Sequence, residues 1–169
     1  MRINKKGMQW LRVLHILSVS IWFGSVVCIG GLAALCFFRL SENEFLTIAP
    51  YIPELYQGVV LPFAVCTIIQ GIVYGIFSNW GFYRHRWVLY KWVLALLTVL
   101  CTGVGGIGQL FSVLEKVKAS GFTGGLTDGG PVLLFISLQV LFMLVMIVLS
   151  VFKPGKRDKK QVFAHSSVS

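Results

Sequence analysis

Four long apolar runs dominate the chain and leave little room for any other kind of fold. They cover roughly residues 8–38, 57–77, 87–114 and 132–152, and the first reads "QWLRVLHILSVSIWFGSVVCIGGLAALCFF". A run of about 20 apolar residues is what a helix needs to cross the ~30 Å hydrocarbon core of a bilayer. Inside that core every backbone N–H and C=O must be paired within the segment, so each run is expected to be a helix. Only 12% of the residues are charged and 56% are hydrophobic, whereas soluble domains carry about 25% charged residues. The expected fold is all-α, a polytopic membrane four-helix bundle over residues 1–152, followed by a basic tail over 153–169.

The start "MRINKKGMQW" has the charge of a signal peptide, but the apolar run after it is too long for a signal core. A retained first helix is expected. Its length exceeds one crossing, so it should tilt or extend past the membrane surface.

The basic residues set an orientation. Twelve fall at one end of the bundle: Arg2, Lys5, Lys6 and Arg12, then Arg84, Arg86 and Lys91, then Lys153, Lys156, Arg157, Lys159 and Lys160. Arg39, Lys116 and Lys118 are the three at the other end. The positive-inside rule places the richer end, with both termini, in the cytoplasm. The net charge of +9 is then accounted for by topology, and no nucleic-acid partner is expected. The partners expected are the lipid bilayer and, at the basic tail, anionic headgroups at ~1 kcal/mol per Lys or Arg. A second copy of the chain or a partner membrane subunit would also be compatible.

Cys28, Cys36, Cys66 and Cys101 all fall in apolar runs without a C-x-x-C pair, and read as small buried hydrophobes. The outer segment "RLSENEFLTIAPYIPELYQ" suggests a short interfacial turn, with Phe45, Leu46, Ile48 and Tyr51 at headgroup level. The segment "ASGFTGGLTDGGP" is rich in glycine and is expected to be a mobile loop.

Polar side chains within the runs recur at three- and four-residue steps, which share a helix face. His15, Ser18, Trp22 and Ser25 form one stripe. Thr67, Gln70 and Tyr74 form a second, and Lys91, Ala95, Thr98, Thr102 and Gln109 a third. Gln139, Met143, Met146 and Ser150 complete the set. Polar groups in membrane helices turn towards the bundle interior. Ser, Thr and Gln do so most often simply to hold helices together.

His15 is the residue that raises a functional question, because an ionisable group inside a membrane helix marks a site or a hydrogen-bonded structural position. At 1.5 Å per residue, it lies about 7–10 Å from the cytoplasmic end of the first helix. Gln70, Tyr74 and Met146 are expected in the same layer, with Lys91 one turn inside the third helix. Imidazole suits iron, copper or zinc, and a thioether suits Cu(I) or haem iron. His15 and Met146 are therefore the candidate metal ligands, and Lys91 either snorkels to the surface or serves the site. His85 and His165 lie in polar surroundings and read as solvated.

Three stretches together resemble a group of small bacterial membrane proteins. "LRVLHILSVSIWFGS" is similar to a first-helix signature K/R-x-L-H-I-L-x-x-x-x-W-x-G. "RWVLYKWVLALL" resembles a third helix opening W-x-x-x-K, and "MIVLSVFKPGK" a last helix ending in K-P. These features recur in predicted four-helix membrane proteins of unknown function, in the copper-resistance D family, and in part in HemJ-type protoporphyrinogen oxidases. The last resemblance implies a haem b within the bundle, with His15 as ligand and Lys91 beside it as cofactor-binding residues. The chain departs from that family after the first helix, where the family's Leu-Pro-Arg-Leu segment is absent. That departure counts against carrying over the oxidase activity, but not against a haem. The copper-resistance resemblance implies copper or small-solute passage, for which only His15 and a few methionines are available. No carboxylate lies within any of the four runs, which weakens both a transporter and an acid–base enzyme.

Overall fold

The computed structural model describes residues 4–77 and 86–152, with the side chains of Lys5 and Arg86 excepted. Arg2, Arg84, His85, the basic tail from Lys153 and His165 therefore lie outside the described residues. Among the described residues there is no strand. Four helical spans, Lys6–Arg39, Glu42–Phe77, Trp87–Ser120 and Gly125–Phe152, are each long and apolar enough to cross a membrane.

Helix α1 (Lys5–Arg39) is the whole of the first span. At 1.5 Å per residue it is about 50 Å long, which exceeds the hydrocarbon core and agrees with the length of its apolar run. Ser18, Trp22, Val26, Ile29, Ala33 and Cys36 are buried. Their three- and four-residue steps make the interior seam of α1. Leu17, Val27, Leu35 and Phe38 lie on its exposed surface, as expected of a helix apolar on every side whose outer face meets lipid.

The second span is assembled from pieces. Helix α2 (Glu42–Ile48) starts at a capping box, in which the Glu44 carboxylate accepts hydrogen bonds from the Ser41 N–H at 2.9 Å and its hydroxyl at 2.7 Å. Helix α3 (Tyr51–Leu55), a π-helical segment π1 (Tyr56–Val60) and helix α4 (Leu61–Phe77) follow without a break. The third span is helix α5 (Arg86–Leu100), a second π-helical segment π2 (Cys101–Gly108) and helix α6 (Gln109–Ser120). Helix α7 (Gly125–Phe152) is the fourth.

Two segments differ from their sequence expectations. Phe45, expected at headgroup level, is fully buried. Its ring stacks on Phe122 at 4.5 Å and packs against Phe37 at 5.3 Å, so α2 folds back over the bundle end and α2–α3 joins the core. The glycine-rich segment is not a long loop but the short turn Gly121–Gly124, because α7 starts early. The turn requires positive φ at Gly121 (85°) and Gly124 (70°), a conformation that costs glycine nothing. Asp128 holds it: one carboxylate oxygen accepts from the Thr123 N–H, the Thr123 hydroxyl and the Gly124 N–H, and the other from Lys116 Nζ at 2.7 Å.

Packing is concentrated at this same end. Phe37, Phe45, Ile52, Tyr56, Leu110, Val113, Val117 and Val132 form its core. Two glycines of π2 permit the approach: a Cβ on Gly105 would stand 2.0 Å from Phe135 Cγ, and one on Gly106 3.2 Å from the Tyr56 phenol. Mid-bundle, a buried polar chain crosses three spans. The Tyr56 hydroxyl donates to Gln139 Oε1 at 3.1 Å, Gln139 Nε2 donates to Thr102 Oγ1, and the Thr102 hydroxyl donates to the Thr98 carbonyl at 3.0 Å. In the half that holds the start of α1, Ala64 is the only buried residue of α4, and the interior there is a cavity rather than a filled core.

Candidate functional site, a cavity among four helices

The cavity measures about 620 Å³ and is bounded by α1, α4, α5 and α7. That lies within the ~300–1,000 Å³ range of small-molecule sites. His15, Lys91 and Met146, separated by up to 131 positions in the chain, all line it. Each helix contributes through a face already spaced at three and four residues: His15, Val19 and Trp22 from α1, and Thr67, Gly71 and Tyr74 from α4. Lys91 and Ala95 come from α5, and Met143, Met146 and Ser150 from α7.

His15 is half-buried, and its ring meets that of Tyr74 edge-on at 5.8 Å between centroids. Gln70, one turn along α4 from Tyr74, donates from Nε2 to Ser18 Oγ at 3.3 Å. The layer expected from helix periodicity, His15 with Gln70, Tyr74 and Met146, is thus assembled from α1, α4 and α7. Lys91 Nζ sits 4.9 Å from the centre of the Trp87 ring, a cation–π distance.

The polar atoms of this wall are short of partners. His15 Nδ1, Trp22 Nε1, Thr67 Oγ1, Gln70 Oε1 and the Tyr74 hydroxyl are buried with no hydrogen-bond partner. Each such group costs about 1–3 kcal/mol, and native interiors hold few of them. Here all five fall on α1 and α4, and four of their residues, His15, Trp22, Thr67 and Tyr74, line one cavity. His15 Nδ1 and Gln70 Oε1 are complementary, since a neutral imidazole N–H can donate to a carboxamide oxygen, and the two side chains are neighbours.

Charge and ligand chemistry narrow what the site can hold. Among the residues lining the cavity, the charged ones are Arg12 and Lys91, both cationic. Among the described residues, no group of three His, Cys, Asp or Glu side chains is placed to hold a metal ion. A metal bound here through His15 and Met146 would have to bring further ligands with it.

Ser25 does not follow the stripe assigned to it. The buried seam steps from Trp22 to Val26, and the Ser25 hydroxyl turns back to the Ile21 carbonyl at 2.7 Å. Arg12 was open to sequence reasoning, since it stands three residues before His15 on the same face. The tryptophans Trp87 and Trp92 also flank Lys91, and both line the cavity. Tyr56 was hidden because it precedes the second apolar run, in a stretch whose buried seam of Phe45, Ala49, Ile52 and Tyr56 reads from hydropathy as an outer loop. Comparison with protein-family models, curated proteins and solved structures finds no match, so any reading of this site rests on its own chemistry.

Proposed function

We propose that this small integral membrane protein binds a b-type haem in the half of the bundle that holds the start of α1, with both termini in the cytoplasm. The observation that carries the reading is the convergence of His15, Met146 and Lys91 on one cavity of about 620 Å³. His15 would hold the iron through its imidazole. A hydrogen bond from Nδ1 to Gln70 Oε1 would satisfy both of these unpartnered atoms and fix the tautomer, leaving the Nε2 lone pair for iron. Met146 would offer its thioether to the same iron. Lys91 and Arg12 offset the negative charge of the propionates.

A porphyrin answers the ligand shortage, because it brings four nitrogens to a site where the chain offers an imidazole and a thioether. A bare copper ion would lack such a set. The indoles of Trp22, Trp87 and Trp92 and the ring of Tyr74 give the flat apolar walls that a macrocycle needs. Bound haem would supply one-electron or O₂ chemistry, and the surrounding residues would bind, orient and shield it.

Variants made with ample haem test the assignment. His15→Ala should remove or strongly shift the Soret band, whereas Met146→Leu should keep the haem and change its spin state or potential. Equal spectra for wild type and His15→Ala would rule out His15 as ligand.

A further inference from the structure

The four helices around the cavity do not close it evenly. α1 packs against both α4 and α7, and α7 packs against α5. The fourth side differs, since α4 and α5 make no more than marginal contact. At the opposite end of the bundle the same two spans also meet lightly. There α3 touches π2, Gly106 lies against the Tyr56 phenol, and Glu42 accepts from the Phe122 N–H at 3.2 Å. Of the four sides around the cavity, the one between the described parts of α4 and α5 is therefore the least closely packed.

Among the described residues, Gly71 of α4 and Trp92 of α5 meet on this side. A Cβ on Gly71 would stand 3.8 Å from Trp92 Cη2, an ordinary van der Waals distance, and both residues line the cavity. A glycine facing the edge of one indole is a thin wall. Exposed apolar side chains on both helices, Ile72 and Ile76 on α4 and Leu89 and Leu96 on α5, turn the surfaces beside it towards lipid. Arg12 and Lys91 give the cavity positive charge on the His15 side, while Trp22, Ile68 and Met143 make its deeper part apolar.

We infer that the cavity takes an amphiphile with an anionic head, admitted sideways from the bilayer between α4 and α5 past Gly71 and Trp92. The head pairs with Arg12 and Lys91, and the apolar body lies deeper, among Trp22, Ile68 and Met143. A ligand already dissolved in the membrane crosses this seam without exposing its body to water, whose contact with apolar surface is what burial avoids. The inference deepens the haem reading, since a porphyrin with propionates is one source of this chemistry. A fatty acid is the other.

The test uses the full chain in phosphatidylcholine nanodiscs and follows tryptophan quenching by doxyl-stearic acid after rapid mixing. Wild type should quench saturably, and the methyl ester of the probe should bind about tenfold more weakly or worse, the loss expected for a charge-assisted contact. Arg12→Gln combined with Lys91→Gln should abolish that preference for acid over ester. Gly71→Leu, which thickens the wall, should slow onset about tenfold, and Trp92→Ala should speed it. Equal binding of acid and ester by wild type, or an onset unchanged in both seam variants, would overturn the inference. Haemin delivered from liposomes is the second arm. If stearate behaves as expected and haemin does not bind, the portal stands and the haem reading falls. If haemin binds with an onset indifferent to both seam variants, the haem reading stands and the portal falls.

Discussion

Asp128 illustrates how much one buried carboxylate does at the far end of the bundle. It is 2% exposed and accepts from two backbone N–H groups, a hydroxyl and an ammonium. It also sits in the first turn of α7, where the helix dipole favours negative charge. Asp128→Ala leaves those donors unpaired, and a loss of about 2 kcal/mol is expected. Lys116 is 51% exposed, so Lys116→Ala should cost under ~1 kcal/mol. Thermal unfolding in detergent compares the two, and equal losses would assign the stability to the ion pair instead. The sequence shows Asp128 only as an acid in a glycine-rich stretch. Its role depends on where α7 begins, which the three positive-φ glycines Gly121, Gly124 and Gly125 decide and hydropathy does not. His15, Gln70, Tyr74 and Met146 are the opposite case. They stand on regular α-helix, where steps of three and four residues translate directly into a shared face and a shared depth.

At the scale of elements, the four spans were readable from apolar length alone, but their internal construction was not. Periodicity arguments assume 3.6 residues per turn, and the π-helical segments π1 and π2 break that assumption mid-span. The sequence stripe captured Thr98 and Thr102 on the third span, but Tyr56, the fully buried start of the polar chain to Gln139, lies just before the run read as the second span. The glycines of π2 offer a clean check. Gly105→Ala would drive a Cβ into Phe135, while Gly103→Ala meets nothing within 4 Å. Overpacking of this kind typically costs about 1–3 kcal/mol, so Gly105→Ala should lower the unfolding temperature clearly and Gly103→Ala should leave it near wild type. Similar behaviour of the two variants would show that π2 does not pack as described.

For the whole molecule, the excess of Lys and Arg at one end sets the expected orientation. In a chain whose four cysteines are replaced, a cysteine at the exposed Thr127 should label only from outside the cell and one at Asn4 only from the cytoplasm. The reverse pattern would invert the topology. In either orientation, the molecule has one densely packed end and one end built around a cavity beside buried polar atoms that lack partners. That division is consistent with a protein that reserves half of its interior for a bound group. The direct measurement is the absorption spectrum of the detergent-purified wild-type protein, produced with ample haem and recorded before and after dithionite. The expected result is a Soret band with a sharpened α band on reduction, in a haem-to-protein ratio near one. A spectrum with no Soret band would contradict haem binding and return His15 to a structural role beside Gln70 and Tyr74.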